Sequence, residues 1–195
     1  MGKVIAIEHL TLDGVMQGPG SADEDTRDGF RHGGWAAPRQ DPAMQRAMGR
    51  HMAGPWSLLA GRTTYVQFAD FWPRQAPNPF TEALTRATKY VASTTLGEPL
   101  PWENSVLLKG DTATAVARLK EERAENLIVF GSGVLVRSLL ARGLVDGLLL
   151  LIHPVVLGTG RTLFTDADAP LPEFALADCT TTGTGVIIGD YTANG

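Results

Sequence analysis

Residues 126–140 are Asn-Leu-Ile-Val-Phe-Gly-Ser-Gly-Val-Leu-Val-Arg-Ser-Leu-Leu, and this stretch decides the fold. Its branched and aromatic residues predict a strand over Asn126–Phe130. A tight turn follows at Gly131, Ser132 and Gly133, and apolar residues at helical spacing predict a helix beginning at Val134. The amides at a helix start lack partners within the helix, so this turn suits a phosphate. The pattern fits a tight turn without a ligand equally well.

The stretch departs from the dinucleotide fingerprint of standard Rossmann domains. Val136 stands where that fingerprint has its third glycine, and no acidic residue follows at the expected distance. A standard Rossmann domain is therefore disfavoured. A hydrolase nucleophile elbow is also excluded, because Phe130 and Val134 stand where that motif needs glycine.

A second junction of strand and helix carries donor side chains. An apolar strand ends at Gly61, and Arg62, Thr63 and Thr64 occupy the first turn of the next helix. Guanidinium and hydroxyl groups donate hydrogen bonds to phosphate, although an ordinary helix start with a solvated arginine fits too. Ser93 adds a third donor after another strand. Because ligands of open α/β sheets bind at the carboxyl ends of strands, these junctions together favour a dinucleotide.

Strands and helices alternate along most of the chain. The N-terminal strand is predicted over residues 3–10, and Asp41 with Pro42 marks the start of the first long helix. Three strand-like segments without a helix between them follow Val145. This order predicts an α/β fold with a mostly parallel central sheet, helices on both faces and antiparallel C-terminal edge strands. Residues 17–40 are predicted to form a long flap, and one domain spans residues 1–195.

Composition excludes several classes of function. The net charge of −4 without a cluster of lysine or arginine argues against nucleic acid as a partner. Cys179 is the single cysteine, so no internal disulfide can form. The apolar run at residues 147–152 is too short to span a bilayer, and the N-terminus lacks a secretory signal. We therefore expect a cytoplasmic protein without a membrane partner. The histidines have no metal-like spacing, and no metal is predicted; they are His9, His32, His51 and His153.

The order of these motifs resembles the dihydrofolate reductase-like superfamily. Gly61-Arg62-x-Thr64-Tyr65, the hydroxyl cluster after Val91-Ala92, and Gly131-Ser132-Gly133 occur in its order and spacing. Leu12-Asp13-Gly14 and the stretch from Pro154 to Phe164 are similar to the reductase domain of riboflavin biosynthesis, the carboxy-terminal half of the bifunctional deaminase-reductase. These segments cover nearly the whole chain. The zinc signature of the deaminase half, with its paired cysteines, cannot be built from one cysteine.

The resemblance implies a split NADPH site with a dihydrofolate reductase-like three-layer fold around it. In that site Ile5 and Ala6 lie beside the nicotinamide. The groups facing the adenosine half and its 2′-phosphate are Gly61, Arg62, Thr63, Thr64 and Ser93, and those holding the pyrophosphate are Gly131, Ser132, Gly133, Val134 and Leu135. Because the extra phosphate needs positive charge and donors, NADPH is expected rather than NADH.

On the substrate side, the resemblance implies three residues. Asp41 follows a Trp-x-x-Pro stretch, one residue later than the carboxylate that binds the pterin and assists protonation in dihydrofolate reductases. As a catalytic acid it competes with a plain role as helix N-cap. Asp13 is predicted to lie near the substrate or to be a simple turn residue. Trp35 either stacks on a flat heterocycle or anchors the flap.

These features predict an NADPH-dependent reductase that transfers hydride to a C=N or C=O bond of a small, pterin- or pyrimidine-like substrate, with the flap as a lid. A catalytically silent nucleotide- or pterin-binding module is the alternative. A second enzyme alternative is a true 5-amino-6-(5-phosphoribosylamino)uracil reductase, for which Arg27, Arg31 and Arg39 are the candidate phosphate ligands. An apolar strand at residues 148–152 and the C-terminal edge predict a possible homodimer.

Overall fold

One eight-stranded sheet forms the centre of the computed structural model, which describes residues 1–165 and 172–194. Across the sheet the order is β4-β3-β2-β5-β1-β6-β8-β7. Strands β1 to β6 pair in parallel, and β8 and β7 add antiparallel pairs beyond β6. The strands are β1 (Val4–Thr11), β2 (Trp56–Gly61), β3 (Lys89–Ala92), β4 (Ser105–Leu108), β5 (Asn126–Phe130), β6 (Gly147–His153), β7 (Phe174–Thr181) and β8 (Ile187–Ala193). The predicted α/β architecture is confirmed.

Helices cover both faces of the sheet and complete three layers. They are α1 (Pro42–His51), α2 (Arg62–Phe71), α3 (Pro79–Arg86), α4 (Thr112–Glu122) and α5 (Gly133–Leu140), with short 3-10 turns at Arg27–Gly29, Ala37–Arg39 and Trp72–Arg74. On one face, Met44 of α1 packs with Ile5 and Ile7. On the other, α4 and α5 pack with Val4 and Ala6. Successive residues of a strand point to opposite faces, so β1 serves both layers.

The middle strand β1 is flanked by parallel neighbours on both sides, which explains the apolar run at residues 4–7. Its residues pair with β5 up to Ile7 and Phe130, while β6 accompanies it to Thr11. The polar residues Glu8 and His9 follow the last contact with β5. The carboxyl edge of the sheet therefore begins at Glu8.

The segment after β1 lies folded across the carboxyl ends of β1 and β6. Val15, Phe30, Trp35 and Ala36 form a small buried cluster within it. The side chain of Gln17 links this segment to Arg161. Its amide nitrogen donates to two carbonyls of the segment, and its oxygen accepts from the amide of Arg161. The flap spans residues 12–40, five residues more at its N-terminal end than predicted. It is an ordered cover with its own core.

Candidate active site

Two helix N-termini meet at the carboxyl edge of the sheet. Helix α2 starts directly after β2, and α5 starts two residues after β5. Among the described residues, no side chain caps either helix. Their first amides therefore keep their hydrogen-bonding capacity for an external acceptor, and both helix dipoles point positive charge at the same region.

Ser132 ties the two helix starts together. Its hydroxyl oxygen accepts from the amide of Gly61 at 3.0 Å, and its own amide donates to the hydroxyl oxygen of Thr64 at 3.1 Å. These bonds run between segments that are about 70 residues apart in sequence. The sequence motifs at Gly61 and at Ser132 thus belong to one site.

The turn at the start of α5 depends on glycine. Gly131 and Ser132 both have left-handed backbone angles, with φ of 57° and 58°. At Gly133 an added Cβ would lie 2.4 Å from the sulfur of Met16, which belongs to the flap. Flap and turn are therefore in direct contact, and a side chain at Gly133 would fill the space in front of the α5 amides. This cradle fits a phosphate group.

The remaining residues predicted to bind the cofactor lie around the same edge. Arg62 is exposed on the first turn of α2, with Thr63 beside it half-buried. Val134 is 69% exposed, whereas Leu135 is buried and offers only its amide. Ser93 follows β3, and its hydroxyl oxygen accepts from the amides of Thr95 and Leu96. Its hydroxyl also lies 3.5 Å from the hydroxyl of Thr95, so the two groups form a small polar cluster at the end of β3.

The predicted nicotinamide contacts lie deeper in the sheet than the other predicted residues. Ile5 and Ala6 are in the middle of β1, where they pair with β5 and β6 and are buried in the two core layers. The strand residues at the carboxyl edge are Glu8 and His9, because pairing with β5 ends at Ile7.

Glu8 is a buried carboxyl group beside the glycine turn. It is 2% exposed, and its Oε1 has no hydrogen-bond partner among the described residues. Burial raises the pKa of Glu8 well above its ordinary value, and a hydrogen bond from the backbone amide of Gly131 opposes that rise only in part. Burial therefore favours the protonated form of this side chain, which adjoins the turn.

The carboxylates of Asp41 and Asp13 both accept hydrogen bonds from backbone amides. Asp41 caps α1 by accepting from the amide of Ala43 at 2.8 Å, and its second oxygen accepts from Gly183 at 3.2 Å. Asp13 accepts from the Thr11 hydroxyl and from the amides of Leu157 and Gly158. The Thr11 bond, followed by that from Gly158, lowers the pKa of Asp13. These contacts support the helix-cap and turn interpretations of the two residues.

Trp35 is an anchor of the flap in this structure. Its side chain is 6% exposed, and its ring nitrogen donates to the carbonyl of Gln17 at 2.8 Å. The ring meets His153 edge to face at 5.2 Å between centroids. It therefore covers the end of β6 and does not present an open stacking face.

Two imidazoles lie beneath Trp35. Nδ1 of His9 is 2.9 Å from Nε2 of His153. Burial lowers the pKa of His9 to about 3, with a smaller contribution from His153, and lowers that of His153 to about 4, with a smaller contribution from Arg39. Both rings are neutral at physiological pH.

A cavity of about 270 Å³ opens between the flap and the loop after β6. Its lining includes three arginines, but Arg27 forms an ion pair with Asp25, and Arg161 with Asp28 at 2.7 Å. Arg31 lines the cavity, whereas Arg39 lies elsewhere and donates to the carbonyl of Trp35. Most of the positive charge near this cavity is already compensated.

Along the part of the chain that the structure describes, no helix is long and apolar enough to cross a membrane. No group of three or more histidine, cysteine, aspartate or glutamate side chains is placed to hold a metal ion within residues 1–165 and 172–194.

The sheet order and the likeness to solved structures give this chain a dihydrofolate reductase-like α/β fold. The chain belongs to the RibD C-terminal domain family, whose model matches residues 2–188. The family resemblance predicted from the sequence is therefore confirmed.

Individual relatives agree with this assignment. YyaP, an uncharacterized protein of Bacillus subtilis (strain 168), is 28% identical over 144 residues, which cover 71% of this chain and 74% of YyaP. A pyrimidine reductase-like protein of Corynebacterium diphtheriae NCTC superposes with a TM-score of 0.69 at 14% identity, covering 100% of this chain and 92% of its own. Dihydrofolate reductase from Enterococcus faecalis, complexed with NADP(H) and RAB-propyl, gives 0.62 at 14% identity, covering 100% and 98%.

Three features of the site escaped the sequence-based prediction: the paired imidazoles, the buried Glu8 and the contact of Met16 with Gly133. A signal for two of them was present. Glu8 and His9 are the polar residues of an otherwise apolar strand, and His153 closes a run of five apolar residues in β6. Polar side chains at the carboxyl end of a buried strand point to a site at that edge. Nothing in the sequence indicated the contact of Met16.

Proposed function

We propose that this chain is an NADPH-dependent reductase that transfers hydride to a C=N or C=O bond of a small, flat, pterin- or pyrimidine-like heterocycle. The observation that carries the proposal is the junction of α2 and α5 through Ser132. It places two uncapped helix starts side by side at the carboxyl edge, as a dinucleotide with several phosphates requires. When bound, the cofactor supplies the hydride.

The preference for NADPH over NADH rests on the first turn of α2. Arg62 offers a planar fork of donors there, and Thr63 and Thr64 add hydroxyl groups. A phosphate on the 2′-hydroxyl has two negative charges to compensate, and arginine binds such a group in a bidentate way. The pyrophosphate would meet the amides of the α5 turn.

The chain's own residues would bind the substrate and exclude water. The flap closes over the ends of β1 and β6 through its buried cluster around Trp35. Covering a reacting site strengthens the electrostatic contacts within it. The compensated charges of Arg27 and Arg161 at the flap cavity favour an unphosphorylated heterocycle over a phosphoribosyl substrate.

Fluorescence titration with NADPH and with NADH tests the proposal. We expect saturable binding of NADPH and weaker binding of NADH, followed by oxidation of NADPH when a pterin or pyrimidine acceptor is added. Binding without oxidation by any pterin, pyrimidine or quinone would favour the catalytically silent module. If neither cofactor binds, both the reductase and the nucleotide-binding module are refuted.

We also propose that two copies pair through β7. This edge strand is exposed along most of its length, and the side chain of Leu176 is 55% exposed. An unpaired strand edge with apolar side chains is a natural site for a second chain. Light scattering after gel filtration should give a dimer for the wild type and a monomer for Leu176→Asp. A monomeric wild type would refute the pairing.

A further inference from the structure

The pairing of His9 with His153 is the one polar contact between side chains of β1 and β6. The two residues lie near the carboxyl ends of neighbouring parallel strands, where Thr11 is the register partner of His153. The preceding residues on the same face, Ile7 and Leu151, are buried in the apolar layer beneath α1. A core that is otherwise apolar gains nothing from two imidazoles, because each must be desolvated.

The hydrogen bond between the rings requires one donor and one acceptor. Since both rings are neutral, each carries a single proton, either on Nδ1 or on Nε2. If His153 donates from Nε2, its Nδ1 is an unprotonated nitrogen. If His9 donates from Nδ1, then Nδ1 of His153 must carry the proton.

The surroundings of His153 decide between these two arrangements. Its Nδ1 is buried and has no hydrogen-bond partner among the described residues. A buried N–H without an acceptor is rarer in proteins than an unsatisfied acceptor. The guanidinium of Arg39 also lies close enough to oppose a positive charge on the ring, and it is held there by its bond to Trp35. A nearby cation favours a lone pair over an N–H, so Nδ1 of His153 is the unprotonated nitrogen.

The proton of His9 therefore lies on Nε2, the nitrogen that points away from His153. His9 is only partly buried, and its Nε2 is absent from the buried polar atoms that lack a partner in the described part of the chain. This N–H therefore keeps some contact with solvent and has no acceptor among the described residues. The residue is the second one beyond the last pair between β1 and β5, at the edge where the turn of Gly131 begins.

We infer that His9 presents its Nε2–H as the hydrogen-bond donor to the heteroatom of the C=N or C=O bond that is reduced, and that His153 positions it. This inference rests on the proposed function. The carbon of that bond gains a hydride from the dihydronicotinamide, which is oxidised to the nicotinamide cation, and the heteroatom takes up a proton from water. His9 keeps its own proton and stabilises the negative charge that develops on the heteroatom.

The protonation of the two rings can be tested without any cofactor. Two-bond ¹⁵N–¹H correlation spectra of the free protein distinguish protonated from unprotonated imidazole nitrogens. We expect a proton on Nε2 of both His9 and His153 at pH 7. A proton on Nδ1 of His9 would overturn the inference while leaving the proposed function intact.

Three variants test the role toward the substrate, with 7,8-dihydrobiopterin as the probe. His9→Phe removes the donor and should weaken binding of the probe by about three- to tenfold, the value of one neutral hydrogen bond. Its affinity for NADPH should stay within twofold of the wild type. His153→Met should let His9 move its proton to Nδ1 in part, and should therefore lower kcat and weaken binding of the probe by less than His9→Phe does.

His153→Gln is the matched control, because its amide can still donate to Nδ1 of His9. We expect it to restore the protonation of His9 and the binding of the probe. Wild-type affinity in His9→Phe, or no binding of the probe by the wild type, would overturn the inference. Failure of the wild type to bind NADPH would instead refute the proposed function, and the spectra would still report the state of the pair.

Discussion

Replacement of Gly133 by alanine should weaken the binding of NADPH while leaving the fold intact. The new Cβ would lie 2.4 Å from the sulfur and 3.1 Å from the methyl carbon of Met16. These atoms end a flexible side chain, so Met16 can swing aside. Gly133 begins α5 without a positive φ, and alanine is a better helix former there. We expect stability within about 1 kcal/mol of the wild type.

The binding loss follows from the position of that methyl group in front of the α5 amides. Each hydrogen bond from such an amide to a charged phosphate contributes about 1.5–3 kcal/mol. Loss of one bond would weaken the affinity for NADPH by roughly 10- to 150-fold. NADH should lose affinity by the same factor, because both cofactors carry the pyrophosphate.

Gly131→Ala should have the opposite effect: the stability should fall while the affinity for NADPH persists. Gly131 has φ of 57°, and its added Cβ would make an ordinary contact of 3.5 Å with the Thr64 hydroxyl. Left-handed backbone costs a residue with a side chain about 1–2 kcal/mol. For a chain of this size the melting temperature should fall by about 2–8 °C.

Titration of NADPH and thermal melting of both variants measure these effects, with Gly54→Ala as the control. An added Cβ at Gly54 meets nothing within 4 Å, and this residue precedes β2 at the opposite edge of the sheet. Wild-type affinity in Gly133→Ala, combined with wild-type stability, would show that the α5 turn does not bind the pyrophosphate.

Three further substitutions separate binding, catalysis and stability. Arg62→Ala should weaken NADPH far more than NADH in the same titration, and equal losses would show that Arg62 does not contact the 2′-phosphate. Asp41→Asn keeps one capping oxygen but places an amide NH₂ toward Gly183; the melting temperature should fall while kcat and the NADPH affinity persist, whereas a large loss of kcat would assign the catalytic acid. Glu8→Gln should become more stable than the wild type as pH rises. With its pKa raised by burial, the folded wild type holds a proton that the unfolded chain releases above about pH 4.5, so its stability falls toward alkaline pH. Thermal melting of both proteins between pH 5 and 9 measures the difference in their melting temperatures. A difference that does not change with pH would contradict the burial of an uncompensated carboxyl.

The junction of the two helix starts was accessible from the sequence because its signals are local. A strand, a glycine turn and a helix start are encoded within a few residues, as at Gly61 and at Gly131. Parallel strands also place their carboxyl ends at one edge, so the two turns had to be neighbours. The bridging role of Ser132 is a consequence of that arrangement.

The sequence did not show in the same way how far along β1 the edge of the sheet lies. The apolar run showed where the strand lies, but the edge of the sheet is set by its register with β5, which ends at Ile7. The predicted nicotinamide contacts, Ile5 and Ala6, therefore lie within the paired part of the strand and not at its end. The bond between His9 and His153 likewise depends on register across 144 residues of sequence separation.

The residues predicted on the substrate side show a third limit. A short motif identified Asp13, Trp35 and Asp41 as site residues, but their partners come from distant loops, namely Gly158, Gln17 and Gly183. Whether a carboxylate faces a ligand or a backbone amide depends on those loops. Local sequence carries no information about them.

The place of β1 between β5 and β6 affects how the chain is made. Among the strands of this chain β1 leaves the ribosome first, and its neighbours begin at Asn126 and Gly147, so it can pair with neither until those segments have been synthesised. At about 5–20 residues per second, the nascent chain carries this apolar segment unpaired for roughly 7–30 seconds. Long-range pairing of this kind folds slowly and exposes apolar surface to aggregation. We therefore expect chaperones to bind the nascent chain until β6 has emerged from the ribosome.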